Sequence, residues 1–493
     1  MIIEAVLLAP LLGALPVAIR GFRSSTATAG VFANLMVLVG GVELATRAVH
    51  GDPATALGVF RVDALSAFMV IVIGTLALLA SWMGIRTISR EIAESKCTQR
   101  QAILYAVLVQ GFAATMLVAV TAANMGVVWV GIEATTIVTT FLVGHRRTTK
   151  ALEASWKYIV ICSVGIAIAF LGTVLFYFAS IHGGSHPSGT LDWTSLRAHA
   201  NRMNTGVIRL GFALVLLGYG TKVGLVPMHS WLPDAHSQAP APVSALMSGV
   251  LLTVAFYAIL RFKAITDAVL GTGFSRGLLV LVSLLSLVLA ASLLISQRDY
   301  KRMLAYHSIE HMGLIALGAA AGLPLALAGA LLHILGHGLA KAVLFLTSGE
   351  ILAEEGTAEI HRVRTLLSRR PTLGGIFGVG LFALLGFPPF SLFTSELLMF
   401  RGELQAGLGW AVMVAVAAMV VIFFSVAGHA RHMLLGDPAD GSADREESGA
   451  AIGSASPASV TIPLISGLAA CVAIGVAAWP LSSLLHAAAA AAR

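Results

Sequence analysis

The sequence predicts an all-α integral membrane protein, and three observations carry that prediction. Of 493 residues, 57% are hydrophobic and only 11% are charged, against about 25% charged in soluble domains. The apolar residues fall in runs of about 20, the length a helix needs to cross a ~30 Å hydrocarbon core. The runs do not alternate with period two, so helices are expected rather than a barrel.

Fourteen spans are expected, near residues 2–20, 28–48, 63–86, 101–121, 123–144, 156–180, 207–228, 241–262, 276–296, 303–321, 325–352, 372–400, 407–428 and 459–485. The first lacks a basic start and a small-residue cleavage site, so it reads as a helix that stays. The third opens on Asp63, read as interfacial. The fifth carries Glu133, the sole charged residue between Met125 and Val143. An apolar site favours the protonated form of such a group. It reads either as one end of a proton path, paired with a lysine, or as a neutral glutamate bonded between helices.

The seventh span is interrupted at Gly220-Thr221-Lys222-Val223-Gly224-Leu225-Val226-Pro227. A charge at mid-membrane costs ~2.5–3.5 kcal/mol on insertion scales, so Lys222 reads as functional and in need of a partner. A static clamp between helices is the alternative. The following turn carries His229, Asp234 and His236 beside Trp231, a composition that suits anchoring at the membrane interface more than proton chemistry. On the eighth span the polar candidates are Ser248 and Thr253. The tenth opens with Tyr306-His307-Ser308-Ile309-Glu310-His311, either a relay element or an interfacial cluster. On the eleventh, His333, His337 and Lys341 recur at i, i+4 and i+8, on one helix face over about 12 Å. Histidine changes charge near neutral pH, so the row reads as a relay; a metal site would want more ligands, and none is expected. The twelfth is interrupted at Leu385-Gly386-Phe387-Pro388-Pro389-Phe390, with Glu396 just beyond. Gly436–Ala458 is rich in Gly, Ser, Ala and acid and reads as a flexible loop.

The two interrupted spans lie five apart. An odd offset reverses direction through the membrane, so spans 4–8 and 9–13 are expected to form two inverted five-helix repeats, with discontinuous helices 7 and 12. The expected divisions are 1–100, 101–262, 263–433 and 434–493.

The net charge of +7 does not call for nucleic acid. When loops are assigned alternately to two sides, one side carries 19 Lys and Arg and the other 10. The positive-inside rule then places both termini on the non-cytoplasmic side. Three cysteines, Cys97, Cys162 and Cys471, form no CxxC pair. No iron–sulfur or Ni–Fe centre is expected in this chain, so any redox chemistry belongs to other subunits.

Residues Lys222–Pro242, KVGLVPMHSWLPDAHSQAPAP, resemble the signature of the antiporter-like subunits of respiratory complex I. That family is related to multisubunit sodium/proton antiporters and to membrane-bound group 4 Ni–Fe hydrogenases. HILGHGLAKAVLF, His333–Phe345, is similar to its eleventh-helix pattern. KRMLAYHSIEHMG, from Lys301, and EATTIVTTFLV, from Glu133, most resemble component F of hydrogenase-4. The resemblance implies fourteen core helices and a charged axis in mid-membrane. It assigns proton translocation to Glu133, Lys222, His333, His337, Lys341 and Glu396. His307, Glu310, His311, His229, Asp234, His236 and Thr253 are accessory candidates. Many members carry Lys or His on the eighth helix, where this chain has Ser248 and Thr253; a hydroxyl orients water but holds no proton charge at pH 7.

The expected function is proton translocation within a hydrogenase-4 or complex I-like assembly in a bacterial or archaeal cell membrane. Peripheral Ni–Fe or Fe–S subunits would drive it, and no cofactor is expected in the chain. A sodium/proton antiporter subunit and a non-conducting structural subunit are the alternatives.

Overall fold

The computed structural model describes residues 1–182, 189–436 and 457–493. Most of the stretch read as a flexible loop lies outside the described residues. The helices are α1 (Ile2–Arg20), α2 (Ser24–Val49), α3 (Ala64–Ala93), α4 (Gln99–Thr121), α5 (Met125–Val143), α6 (Thr149–His182), α7 (Thr205–Val223) and α8 (Ala241–Leu270). There follow α9 (Thr272–Leu294), α10 (Tyr300–Ala321), α11 (Pro324–Glu355), α12 (Pro371–Leu384), α13 (Ser391–Gln405), α14 (Gly409–Leu435), α15 (Ala458–Val476) and α16 (Trp479–Ala491). Short helices at Trp193–Ala198, Trp231–Gln238 and Leu366–Arg369 join them. An antiparallel hairpin, β1 (Ala54–Ala56) and β2 (Phe60–Val62), pairs Ala54 with Val62 and is pinned by a bridge from Phe60 to Ala122.

Among the described residues, twelve helices are each long and apolar enough to cross a membrane on their own. The two other expected spans are present as helices that fall short of that test alone. Helix α10 is long enough, but His307, Glu310 and His311 make it too polar. The expected span 372–400 is split into α12 and α13, neither of which reaches membrane length alone. The last expected span is likewise divided, between α15 and α16.

Local chemistry sets the ends. Asn204 caps α7 by accepting from the Gly206 and Val207 amides, and Gly224, left-handed at φ 83°, stops it. At φ 70°, Gly386 occupies the matching position after α12. A left-handed residue costs a Cβ-bearing side chain roughly 1–2 kcal/mol, so glycine belongs at both breaks. Thr98 and Gln101 form a reciprocal capping box at α4.

Helices α8 and α11 are wholly enclosed by protein, and α3 nearly so. The periphery presents large apolar groups outward, among them Phe141, Trp156, Met413 and Phe424, as expected where the surrounding solvent is lipid. The two central helices meet at paired glycines. A Cβ on Gly249 would lie 3.2 Å from the Gly338 carbonyl oxygen. Small residues permit such close backbone approach in membranes. That contact seats the His337–Lys341 turn of α11 directly beside the π-helical turn Met247–Leu251 of α8.

Candidate functional site

Polar side chains in the membrane core gather in two clusters. In the first, Lys222 ends α7 and is fully buried. Its ammonium donates to Thr136 Oγ1 of α5 at 2.9 Å and to Tyr158 OH of α6 at 2.5 Å. Tyr158 is bonded in turn to Thr139 Oγ1 at 2.5 Å. The phenol ring packs on Trp231, whose indole donates to the Thr221 carbonyl at 2.8 Å. The short helix beyond the break therefore braces the lysine from below.

The expected Glu133–Lys222 ion pair is not formed. Among the described residues, no carboxylate lies within 4.0 Å of the Lys222 ammonium. Thr136, one helical turn from Glu133, stands in the contact position instead. Glu133 is half-buried and one of its oxygens has no partner. Lys222 is compensated by hydroxyls and by its place in the last turn of α7, where the helix carries partial negative charge.

The second cluster is built from α10, α11 and α13. His333, His337 and Lys341 are fully buried. His311 sits among them, its ring centroid 4.7 Å from that of His307, 5.0 Å from His333 and 4.9 Å from His337. His311 Nδ1 and His333 Nε2 are 2.8 Å apart, and His333 Nδ1 reaches Ser395 Oγ at 2.9 Å. Donor atoms of His311, His333 and Glu396 lie within 4.8 Å of one another, as do those of His307, Glu310 and His311. His307 Nδ1 and Glu310 Oε2 are 2.7 Å apart without the alignment of a hydrogen bond. Lys341 donates to the Leu304 carbonyl. Glu396 packs against Gly386, where a Cβ would come 2.5 Å from its carboxylate. Glycine is thus favoured there by backbone, and any Cβ would also displace the Glu396 carboxylate. Both ring nitrogens of His337 lack a protein partner. Such orphans in a buried file call for bridging water.

The accessory candidates divide. His307, Glu310 and His311 join the second cluster, buried within the protein. His236 is interior as well, which corrects the anchoring expectation for that turn: it is fully buried, stacked on Phe345 at 5.0 Å and 17°, with both ring nitrogens unpartnered. Lys341 lies over the same Phe345 ring at 5.9 Å. Asp234 is an anchor, pairing with Lys157 at 3.1 Å and with Arg302. His229 joins neither cluster; burial holds its imidazole below the usual range, against a contact to the Pro227 carbonyl. Thr253 spends its hydroxyl on the Val250 carbonyl of its own helix at 2.8 Å, because the helix interior supplies the nearest acceptor. Ser248 instead crosses to Ser308 at 2.8 Å.

Three residues escaped the sequence reading. Thr136 and Tyr158 carry the Lys222 contacts. Lys301, counted above as a loop charge, is 1% exposed and donates to the Ser237 and Ala239 carbonyls at 3.0 and 2.9 Å. Its spacing to Leu304, Ser308 and His311 follows the helical period and was the available signal.

The signature of the family described as NADH:quinone oxidoreductase/Mrp antiporter, TM, matches residues 122–422. That stretch contains both clusters. The chain belongs to this family. A hydrogenase-4 component F homolog from Methylacidiphilum infernorum is 39% identical over 339 residues, covering 69% of this chain and 71% of that protein. Two solved structures share the fold at 23% identity. One is the membrane-bound sulfane sulfur reductase, an archaeal respiratory membrane complex (TM-score 0.84, 99% of this chain and 96% of that one). The other is the Mrp complex from Dietzia sp. DQ12-45-1b (TM-score 0.83, again 99% and 96%). The chain is a multi-pass, antiporter-like membrane subunit of the hydrogenase-4, complex I and Mrp type.

Proposed function

We propose that this subunit moves protons along its mid-membrane axis, driven by chemistry on partner subunits. The observation that carries the reading is the buried file of Lys341, His337, His311, His333, Ser395 and Glu396, bonded directly from His311 through His333 to Ser395 and calling for bridging water at His337. A file of imidazoles at hydrogen-bonding or water-bridging separation takes up a proton at one end and yields one at the other. In the first half, Tyr158 and Thr136 would hold the charge of Lys222 in place of a direct Glu133 pair, and that charge would bias the proton file. His236, lying between the short helix and Lys341, would join the halves where the eighth helix supplies only hydroxyls.

In this reading the partners are other membrane subunits and peripheral Ni–Fe or Fe–S subunits, and this chain holds no cofactor. Residues 101–262 and 263–433 act as inverted repeats, between the three leading helices and 434–493. Both termini face away from the cytoplasm of a bacterial or archaeal cell. Nitrogen donors dominate the axis, whereas sodium prefers clustered oxygen ligands, which favours protons over sodium.

The test is proton uptake into inverted vesicles holding the assembled complex, with and without sodium, for wild type, Lys222→Ala and Glu396→Gln. Sodium-independent uptake lost in both assembled variants supports the proposal. Uptake that requires sodium turns it into cation/proton antiport. Unchanged uptake in assembled variants leaves a structural subunit.

A further inference from the structure

Away from the axis, the α3–α4 connection folds back on the end of α5. The Lys96 and Cys97 amides donate to the Glu91 carbonyl at 2.8 and 3.1 Å. This turn sets Cys97 Sγ 3.8 Å from His145 Nε2. Glu91 Oε2 lies 3.5 Å from the same nitrogen. Donor atoms of all three residues fall within 4.8 Å of one another. Around a tetrahedral zinc ion with bonds of ~2.0–2.3 Å, neighbouring ligand atoms stand about 3.3–3.5 Å apart. The observed separations therefore exceed a ligand edge by a few tenths of an ångström at most for the two contacts to nitrogen.

The convergence on one nitrogen is diagnostic. In a nucleophilic relay, the acid holds the ring nitrogen opposite the one facing the nucleophile. Here thiol and carboxylate meet the same one, which is how ligands close on a common centre. All three side chains are nearly buried. A cavity of about 300 Å³ reaches His145 from between α4, α5 and α6, lined by Tyr105, Thr140, Gly144, Arg147 and Ser155 among others.

We propose that Glu91, Cys97 and His145 form a site for a zinc-class divalent cation, with three protein ligands and a fourth position open to water from the cavity. A thiolate with an imidazole selects zinc-class ions over magnesium or calcium. On binding, the metal replaces the thiol proton, which leaves to solvent. Arg146 holds the other Glu91 oxygen at 3.0 Å, so one carboxylate oxygen remains for the ion. The guanidinium charge beside it keeps binding weaker than at a four-ligand structural site. Occupancy ties the loop after α3 to the end of α5, the helix that carries Glu133 and Thr136.

The test is titration of chelator-stripped, purified full chain with Co²⁺, followed by displacement with Zn²⁺. One equivalent of Co²⁺ should raise a near-ultraviolet thiolate-to-cobalt band. Cys97→Ser and His145→Ala should each weaken binding more than tenfold, while His333→Ala, which alters the axis cluster, should leave the band intact. Arg146→Ala should bind several-fold tighter. Zn²⁺ should also slow alkylation of Cys97 in the wild-type chain, a readout that needs no variant to fold. A missing band, a band that survives both Cys97→Ser and His145→Ala, or alkylation unaffected by Zn²⁺ would overturn the assignment.

Discussion

Lys222 and Lys341 are both fully buried cations in mid-membrane, yet their surroundings differ in kind. Lys222 donates to two hydroxyls and sits at a helix end. Lys341 donates to a backbone carbonyl and belongs to a cluster of imidazoles and carboxylates, each with two sites that can carry a proton. A buried charge is tolerated by either arrangement. Only the second offers the proton somewhere else to sit. On the proposed function, the first cluster holds a charge and the second passes one on.

The largest expected effect tests the second cluster at its hub. Among the described residues, His311 is the ring in contact with three other imidazoles. His311→Phe keeps the packing and removes both nitrogens. Proton uptake in assembled vesicles should fall by about 10²–10⁴-fold, the usual worth of a positioned acid–base group. Uptake within threefold of wild type would remove the imidazole file from the route.

A reference variant separates conduction from folding. Arg261, 2% exposed, is held by Asp63 at 2.5 and 2.7 Å. Asp63→Asn leaves that cation unpaired and should lower stability by about 3 kcal/mol, read as an earlier thermal transition of the purified chain. If His311→Phe melts as early, its loss of uptake reports unfolding and the comparison fails.

At the first cluster, Tyr158→Phe removes one of two hydroxyl contacts to the Lys222 ammonium. A hydrogen bond to a charged group contributes about 1.5–3 kcal/mol, so uptake should drop by roughly tenfold to a hundredfold. Addition of Thr136→Val should lower it further. Equal uptake in Tyr158→Phe and wild type would mean that the lysine finds its compensation elsewhere, and the contrast between the clusters would lose its basis.

The smallest effect is expected at Gly386→Ala. The left-handed backbone costs about 1–2 kcal/mol for alanine, and the new Cβ presses on Glu396. Thermal stability should fall by that amount, and uptake should fall more than in Gly356→Ala, another left-handed site far from the axis. The reverse order would detach Gly386 from Glu396.

Much of this was legible in the sequence because isolated charges stand out against apolar runs. Lys222, Lys341 and Glu133 announced themselves that way, and the four-residue spacing of His333 and His337 set them on one face. Glycine followed by proline marked both broken helices. What escaped depends on contacts between helices. Thr136 and Tyr158 are ordinary residues in a membrane span until folding brings Lys222 between them. Glu396 lies far along the chain from His311 and His333, and no periodicity links them. Lys301 looked like one more loop cation because its neighbours Arg298 and Arg302 are basic.

One feature of the enclosed helix α8 bears on how such a file is kept from short-circuiting. The π-helical turn at Met247–Leu251 holds one more residue than an α-helical turn. If that surplus residue moves along the helix, the side chains it passes swivel by about 100° while both ends of α8 stay fixed. Ser248 would then release Ser308, and the seam between the two halves would open. The helix would act as a turnstile, admitting one configuration of the seam at a time.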